Sequence, residues 1–189
     1  MLGPALEAAG HELVELGDAE AMVDFTRPDA VVANVEAALA AGVPCVVGTS
    51  GWEGEQERVD VAAQAAELPV FFAPNFAVGA VLMMRFAAEA ARHLPRVEIV
   101  ELHHETKLDA PSGTAKATAA AIGDALPIHS VRLPGLVAHQ EVLLGGQGQL
   151  LTIRHDAYSR EAYLPGVLLA LERLRTLPPG LTIGLDSLL

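Results

Sequence analysis

Short apolar runs alternate with longer amphipathic segments over the first 75 residues. Three runs are short enough to be buried parallel strands, and they cover residues 21–25, 44–47 and 70–73. Between them, residues 29–41 and 53–67 carry apolar side chains at helical spacing. This alternation of strands and helices is typical of a Rossmann-like, doubly wound parallel sheet. Ahead of it, the pattern predicts a helix over 2–9 and a short strand over 11–16.

The pattern changes after a long Ala- and Met-rich helix predicted over 77–94. Alternating apolar and polar residues, joined by glycine turns, predict strands at 97–102, 130–133, 139–144 and 150–156. An Ala-rich helix is predicted over 112–126, and a closing helix over 166–176 precedes a Pro-Pro-Gly turn and a short tail. The chain is therefore predicted to be α/β, with a second, α+β domain built on a mixed or antiparallel sheet.

The charge balance limits the classes of partner. Among 189 residues, 12 are basic and 24 are acidic, so the formal net charge is -12. No broad basic surface is available for nucleic acid or for an anionic membrane. A small anionic substrate would also be repelled, so its site must be a local positive pocket built from a few basic side chains or a helix N-terminus.

The apolar residues and the cysteine content exclude further classes of protein, namely membrane-spanning, secreted and cysteine-crosslinked ones. The most apolar window, 68–84, is interrupted by Pro69, Pro74 and Asn75 and falls short of the roughly 20 residues of a membrane span. No signal-peptide pattern is recognised, so a cytoplasmic protein is expected. The single cysteine, Cys45, lies in an apolar run and is interpreted as a small buried hydrophobe, which leaves no disulfide and no cysteine metal cluster.

The segment 103–115 carries the residues best suited to chemistry. Ser112 is a good helix N-cap, and the backbone N–H groups of Gly113 and Thr114 in the first turn suit a carboxylate. Lys107 adds a cation a few residues upstream. The adjacent His103 and His104 should point to opposite sides of a strand end, so they should not share one role. A pair of surface histidines beside a capped helix explains the same residues about equally well.

Residues 101–115 resemble the signature of the dihydrodipicolinate reductase family, of the form E-x-H-H-x-x-K-x-D-A-P-S-G-T-A. Further segments occur in the family's order and with family-like spacing. They are Asp24-Phe25-Thr26-Arg27-Pro28, Val47-Gly48-Thr49-Ser50-Gly51, Ala73-Pro74-Asn75-Phe76-Ala77-Val78-Gly79, and Arg154-His155 through Ser159-Arg160. The resemblance extends from about residue 1 to about residue 175.

Carried across position by position, the resemblance implies a role for each matching residue. It implies that His103 and Lys107 are catalytic, donating a proton as hydride arrives, and that His104, Gly113 and Thr114 bind the substrate's carboxylates. It implies cofactor contacts from two segments: Gly48, Thr49 and Ser50, and Ala73, Pro74, Asn75 and Phe76. On the residues alone, Gly48 and Asn75 are more simply turn residues. Asp24-Phe25-Thr26 and Arg160 are weaker candidates for the cofactor cleft.

The resemblance also implies an activity and an organisation. The activity is NADH- or NADPH-dependent reduction of a cyclic dicarboxylate, 4-hydroxy-tetrahydrodipicolinate, to tetrahydrodipicolinate in diaminopimelate and lysine biosynthesis, without a metal. Residues 1–75 and 160–189 would form the dinucleotide-binding domain, and residues 76–159 the substrate-binding and tetramerisation domain. A homotetramer is expected, joined through strands near residues 130–144.

One part of the family pattern is not found in the sequence. The family has a glycine-rich turn of the form G-x-x-G-x-M-G, and Met1 is expected to match the methionine at its end, so the parallel sheet is predicted to be truncated at its first strand. Asp18 is a weak candidate for the acidic residue that contacts the adenosine ribose. Two alternatives stay open: a catalytically silent dicarboxylate-binding or scaffold protein that has lost dinucleotide binding, and another small-substrate dehydrogenase.

Overall fold

A computed structural model describes residues 2–123 and 125–189. The helices are α1 Leu2–Ala8, α2 Pro28–Ala40, α3 Gln56–Ala65, α4 Val78–Ala91, α5 Gly113–Ile122 and α6 Leu164–Leu174. The strands are β1 Met22–Asp24, β2 Cys45–Val47, β3 Pro69–Phe72, β4 Arg96–His103, β5 Ile128–Arg132, β6 Ala138–Gly146, β7 Gln149–Ala157 and β8 Gly180–Ile183. The chain divides into two compact units, the first up to Phe76 together with Tyr163–Leu189, the second Ala77–Ala162.

The first unit is built on a parallel four-stranded sheet in the order β1-β2-β3-β8. Strands β2 and β3 are buried along their whole length, which explains why they are continuous apolar runs. Their core includes Val31 and Val35 of α2 and Val59 of α3. Cys45 belongs to this core as predicted, and burial, with a smaller contribution from Asp24, raises the pKa of its thiol to about 12. The doubly wound parallel sheet is thus confirmed.

Two details of the first unit differ from the prediction. The strand predicted over 11–16 is wrong: residues 11–15 form no strand, and a 3₁₀ turn covers Leu16–Asp18. No strand of residues 2–123 or 125–189 pairs with this segment, so its alternating pattern has no hydrogen-bond ladder to join. Conversely, the segment predicted to be a short tail contains a strand, β8, whose Leu181-Thr182-Ile183 run pairs in parallel with β3.

The second unit is built on a mixed sheet in the order β5-β4-β6-β7. Strand β4 pairs in parallel with β5 and antiparallel with β6, and β6 pairs antiparallel with β7. Alternate residues of β4 face the core: Val97 and Ile99 are buried against Val142 and Leu144 of β6, with α4 and α5 packed over them. The predicted mixed sheet is confirmed, and its two-residue period decides which side chains reach the helix side.

The described helices and side chains show neither a membrane span nor a metal cluster. In the described part of the chain, no helix combines the length and apolar character needed to cross a bilayer. Within those residues, no three side chains of His, Cys, Asp or Glu are grouped so that they could hold a metal ion.

The packing of α6 gives a direct test of this fold. A Cβ added at Gly166 would overlap the carbonyl oxygen of Phe76 and lie 2.9 Å from the Leu185 side chain. We expect Gly166→Ala to lower the free energy of unfolding, measured by urea titration, by about 2 to 3 kcal/mol, because backbone must move to admit the methyl group. Gly54→Ala is the control, because a Cβ there meets nothing within 4 Å. It should change the free energy of unfolding by less than about 0.5 kcal/mol. Equal stability of the two variants would contradict the packing.

Candidate active site

A buried carboxylate lies near the end of β4. Glu101 follows Val97 and Ile99 on the helix side of the strand, and its side chain is fully buried. Its carboxylate accepts two hydrogen bonds from the Arg132 guanidinium, one at each oxygen and both 2.8 Å long. The parallel register places His103 beside Arg132 and Glu101 beside Ser130 of β5. Glu101 of β4 and Arg132 of β5 thus form a bidentate ion pair in the interior of the second unit.

The same carboxylate accepts hydrogen bonds from two further segments. One oxygen lies 2.5 Å from His103 Nδ1, and the other accepts a bond from the Ser112 backbone N–H at 3.3 Å. Burial opposes ionisation of Glu101, but hydrogen bonds from Arg132, Ser130 and His103 outweigh it and lower its pKa to about 2. Glu101 is therefore an anion at neutral pH, and it joins β4, β5 and the start of α5.

The two adjacent histidines have different surroundings, as the strand geometry predicts. His103 is mostly buried and contacts Glu101, whereas His104 is exposed and its Nδ1 lies 2.7 Å from the Thr106 hydroxyl. Burial lowers the pKa of His103 below its usual range, while the Glu101 hydrogen bond and charge oppose that shift. His103 Nδ1 is occupied by Glu101, which leaves Nε2 as the ring nitrogen for chemistry.

Lys107 lies in the loop between β4 and α5, where it is paired with an acidic neighbour. Its ammonium is 2.6 Å from Asp109 Oδ1, and this hydrogen bond lowers the pKa of the Asp109 carboxyl. The carbonyl oxygen of Asp109 in turn accepts a 2.7 Å bond from Arg132 Nη2. The sequence predicts a pocket with Lys107 as its cation. In the structure Asp109 balances that charge, so an anionic ligand would have to compete with Asp109 for the ammonium group.

Helix α5 begins where the N-cap pattern predicts. The Ser112 hydroxyl accepts a 3.2 Å bond from the Ala115 N–H, and a Cβ built at Gly113 would meet nothing within 4 Å. Buried Gln140 of β6 donates to the Thr118 hydroxyl, which donates to the Thr114 carbonyl, each at 2.8 Å. Glu101 and Gln140 therefore fix the first turn of α5 from two strands, with open space beside Gly113.

The predicted cofactor segments of the first unit meet at one edge of its parallel sheet. Buried Asp24, the last residue of β1, accepts a 2.7 Å bond from Thr49 Oγ1 and further bonds from Thr26 and Asn34. The Gly48 N–H donates to the Asp24 carbonyl at 2.8 Å. The carboxyl ends of parallel strands are where doubly wound folds place ligands. Asp24 thus holds the turn after β2 in place against β1.

The residues of these segments divide into exposed and buried members. Ser50 and Pro74 are exposed, and Gly48 and Asn75 are partly exposed. Thr49, Ala73 and Phe76 are buried, and the Phe76 ring packs against Phe25 at a centroid distance of 5.3 Å. A Cβ at Gly48 would overlap the Phe25 ring, so the absence of a side chain there lets the ring cover the turn. Asp18 is exposed at the end of its 3₁₀ turn.

Sequence reasoning missed the roles of Glu101 and Arg132. In the sequence Glu101 stands out only as the first residue of the family signature, and Arg132 belongs to no motif. A signal for Glu101 was present, because a carboxylate on the core side of an alternating strand needs a buried cation as partner. No such signal existed for Arg132, because its choice depends on the register between β4 and β5.

Loss of the Arg132 guanidinium should destabilise the second unit. We expect Arg132→Leu to lower the free energy of unfolding by about 3 kcal/mol or more, because the Glu101 charge would remain buried without its main partner. Arg92→Leu removes an exposed guanidinium that is paired with Glu89 and should change it by less than about 0.5 kcal/mol. Urea denaturation at pH 7 measures both, and a small effect of Arg132→Leu would show that Glu101 is not a buried anion.

Comparisons with known proteins cover nearly the whole chain. Residues 3–76 match the family model described as dihydrodipicolinate reductase, N-terminus, and residues 79–189 match that for the C-terminus. A 4-hydroxy-tetrahydrodipicolinate reductase of Desulfitobacterium hafniense is 48% identical over 197 residues, covering 90% of this chain and 73% of that protein. The corresponding reductase of Mycolicibacterium gilvum is 46% identical, covering 91% and 81%.

A solved structure agrees with these sequence relatives. The dipicolinate-bound dihydrodipicolinate reductase from Paenisporosarcina sp. TG-14 superposes with a TM-score of 0.80 at 40% identity, covering 90% of this chain and 74% of that chain. A probable dehydrogenase from Thermotoga maritima shares only the fold, with a TM-score of 0.61 at 10% identity, covering 92% and 75%. On the two family models and these relatives, the chain belongs to the dihydrodipicolinate reductase family.

Proposed function

We propose that this protein reduces 4-hydroxy-tetrahydrodipicolinate to tetrahydrodipicolinate, in the biosynthesis of diaminopimelate and lysine, with NADH or NADPH as reductant. The observation that carries the proposal is the arrangement at the end of β4. There, the buried Glu101 carboxylate contacts His103 and the start of α5. Its partner Arg132 also binds the carbonyl of Asp109, whose side chain pairs with Lys107. The protein's relatives are named for this reaction.

The substrate side of the proposal assigns the residues of the second unit. His103 and Lys107 supply the proton that balances hydride transfer, and His104, Gly113 and Thr114 bind the carboxylates. In the overall reaction one hydride and one proton enter the substrate and one water leaves, with loss of the 4-hydroxyl group. Three features support the assignment: the exposed ring of His104, the open space beside Gly113 and the N-terminal turn of α5, whose N–H groups favour an anion.

The cofactor side assigns Gly48, Thr49 and Ser50 after β2 and Ala73, Pro74, Asn75 and Phe76 after β3. These residues fit a nicotinamide dinucleotide, because they lie at the carboxyl ends of adjacent parallel strands. When bound, the reduced nicotinamide supplies the hydride. Ser50 and Pro74 are exposed and Asn75 is partly exposed, so their side chains can contact the cofactor. Thr49 and Phe76 are buried and support the two turns from the protein interior.

The proposal extends to the organisation of the chain. Residues 1–75 and 160–189 hold the dinucleotide, residues 76–159 hold the substrate, and the enzyme works in the cytoplasm. The alternative of a silent dicarboxylate-binding protein has no specific observation in its favour, because both the motif residues and the cofactor segments are present.

The activity is tested by NADH and NADPH oxidation at 340 nm with freshly condensed pyruvate and aspartate semialdehyde. Oxidation that depends on both precursors is expected, and the ratio of kcat/KM values gives the cofactor preference. If neither cofactor is oxidised while a dicarboxylate still binds by calorimetry, the silent binding protein becomes the better account.

Substitution of the proposed acid groups should affect turnover far more than folding. His103→Ala and Lys107→Ala are each expected to lower kcat by about 100-fold or more, because a positioned proton donor contributes at least that much. His93→Ala and Lys116→Ala are matched controls at exposed positions and should leave kcat unchanged. Near-normal kcat in both site variants would contradict the catalytic assignment.

We also propose a homotetramer joined through the second unit's sheet. Helices α4 and α5 pack on the side of the sheet that carries Val142 and Leu144. On its other side lie Val100, Leu102, Val131 and Leu143, which are only partly buried within the chain. Glu98 and His129 flank this apolar strip on one side and Glu141 on the other. A second copy would cover the strip.

Oligomer size tests the proposed interface. Leu143→Glu should convert the tetramer into a smaller species in light scattering coupled to gel filtration, because it places a charge in the apolar strip. Val61→Glu introduces the same charge at an exposed position of α3 and should leave the mass unchanged. A monomeric wild type at micromolar concentration would refute the interface, as would an unaltered mass of the Leu143 variant.

A further inference from the structure

We propose that Glu101 is a positioning residue that fixes the ring orientation and the neutral tautomer of His103, with Arg132 as the cation that keeps Glu101 in place. The inference rests on the proposed function only in treating His103 as a proton donor. Glu101 and Arg132 are not among the residues proposed to contact the substrate or the cofactor.

The tautomer follows from the hydrogen-bond partners. An ionised carboxylate can only accept, so His103 Nδ1, 2.5 Å from Glu101 Oε2, must carry the proton of the neutral ring. The Nε2 atom then holds the lone pair and takes up a proton to become the donor. A ring free to rotate or to exchange tautomers would present either nitrogen, so the carboxylate selects one proton position.

Arg132 keeps this carboxylate in one orientation. Its two terminal nitrogens bind one Glu101 oxygen each, and one of them also binds the Asp109 carbonyl at 2.7 Å. The planar fork fixes the plane of the carboxylate and ties the loop of Lys107 to the same point. His103 and the Lys107 loop are therefore held by a single ion pair, although neither Glu101 nor Arg132 needs to touch substrate.

The charges around His103 determine the direction in which its pKa moves when Glu101 is neutralised. In the part of the chain that the structure describes, three charged groups act on His103: Glu101 on its own strand, Arg132 on β5 and Lys107 in the following loop. Glu101 raises the pKa of His103, and the two cations and burial lower it. Within residues 2–123 and 125–189, Glu101 is the one charge that favours protonated His103, and Glu101→Gln removes it. The titration of His103 should therefore move to lower pH, and proton donation should be lost at lower pH than in the wild type.

The test compares the wild type with Glu101→Gln, which keeps the shape but not the charge. In proteins labelled with ¹⁵N-histidine, the His103 resonances give its tautomer and its midpoint pH without any substrate. We expect neutral wild-type His103 to carry its proton on Nδ1, and the midpoint to fall in the variant. The basic limb of the kcat–pH profile should move in the same direction. At pH 7 we expect kcat to fall about 10- to 100-fold, less than loss of the whole donor causes.

Glu89→Gln is the matched control, since Glu89 is an exposed carboxylate of α4 paired with Arg92. It should leave the His103 midpoint and kcat unchanged.

A merely structural role of Glu101 predicts a lower folded fraction with an unaltered midpoint and pH profile, and that result would overturn the proposal. If Glu101→Gln does not fold, the wild-type spectrum alone tests the proposal. A neutral His103 ring that carries its proton on Nε2 would also overturn the proposal. A wild type that shows the expected tautomer but oxidises neither NADH nor NADPH would refute the proposed function alone.

Discussion

The second unit depends on one ion pair, formed by Glu101 and Arg132 across two parallel strands. A charge in the interior is costly unless strong donors surround it, and the Glu101 carboxylate has two guanidinium nitrogens, an imidazole nitrogen and a backbone N–H within reach. These donors belong to β5, to the end of β4 and to the start of α5. Satisfying this one charge therefore brings together the three segments that carry the proposed proton donors and carboxylate-binding turn.

The first unit has a similar arrangement, in which a buried acidic side chain accepts hydrogen bonds from uncharged groups. Asp24 at the end of β1 is buried among hydroxyl and amide donors from Thr26, Asn34 and Thr49. It holds the turn after β2, just as Glu101 holds the turn before α5. In both units an acidic side chain near a strand's carboxyl end stabilises the backbone of a loop that carries residues proposed to contact a ligand.

Much of the fold follows from periodicity, and what does not follow has a physical reason. Buried strands such as β2 and β3 and the capped helix at Ser112 are set by local pattern and were predicted from sequence. The segment 11–16 shows the limit of that method, because an alternating pattern becomes a strand only beside a partner. Strand β8 was missed since four residues after a Pro-Pro-Gly turn carry little periodic signal. The pairing of Glu101 with Arg132, 31 residues apart, is fixed by strand register, which a single sequence does not reveal.

The central claim is that Glu101 remains ionised in the interior of the folded protein. The ¹³C chemical shift of its carboxyl carbon, followed from pH 7 towards pH 2.5, measures this directly. Because hydrogen bonds from Arg132, Ser130 and His103 outweigh its burial and hold its pKa near 2, the account predicts a shift that stays constant until the pH approaches 3. Since the folded pKa is lowered, the stability that this charge confers is complete above about pH 4.5 and is lost only as the pH falls towards 2. A titration step at or above pH 4.5 in the folded protein would contradict the account.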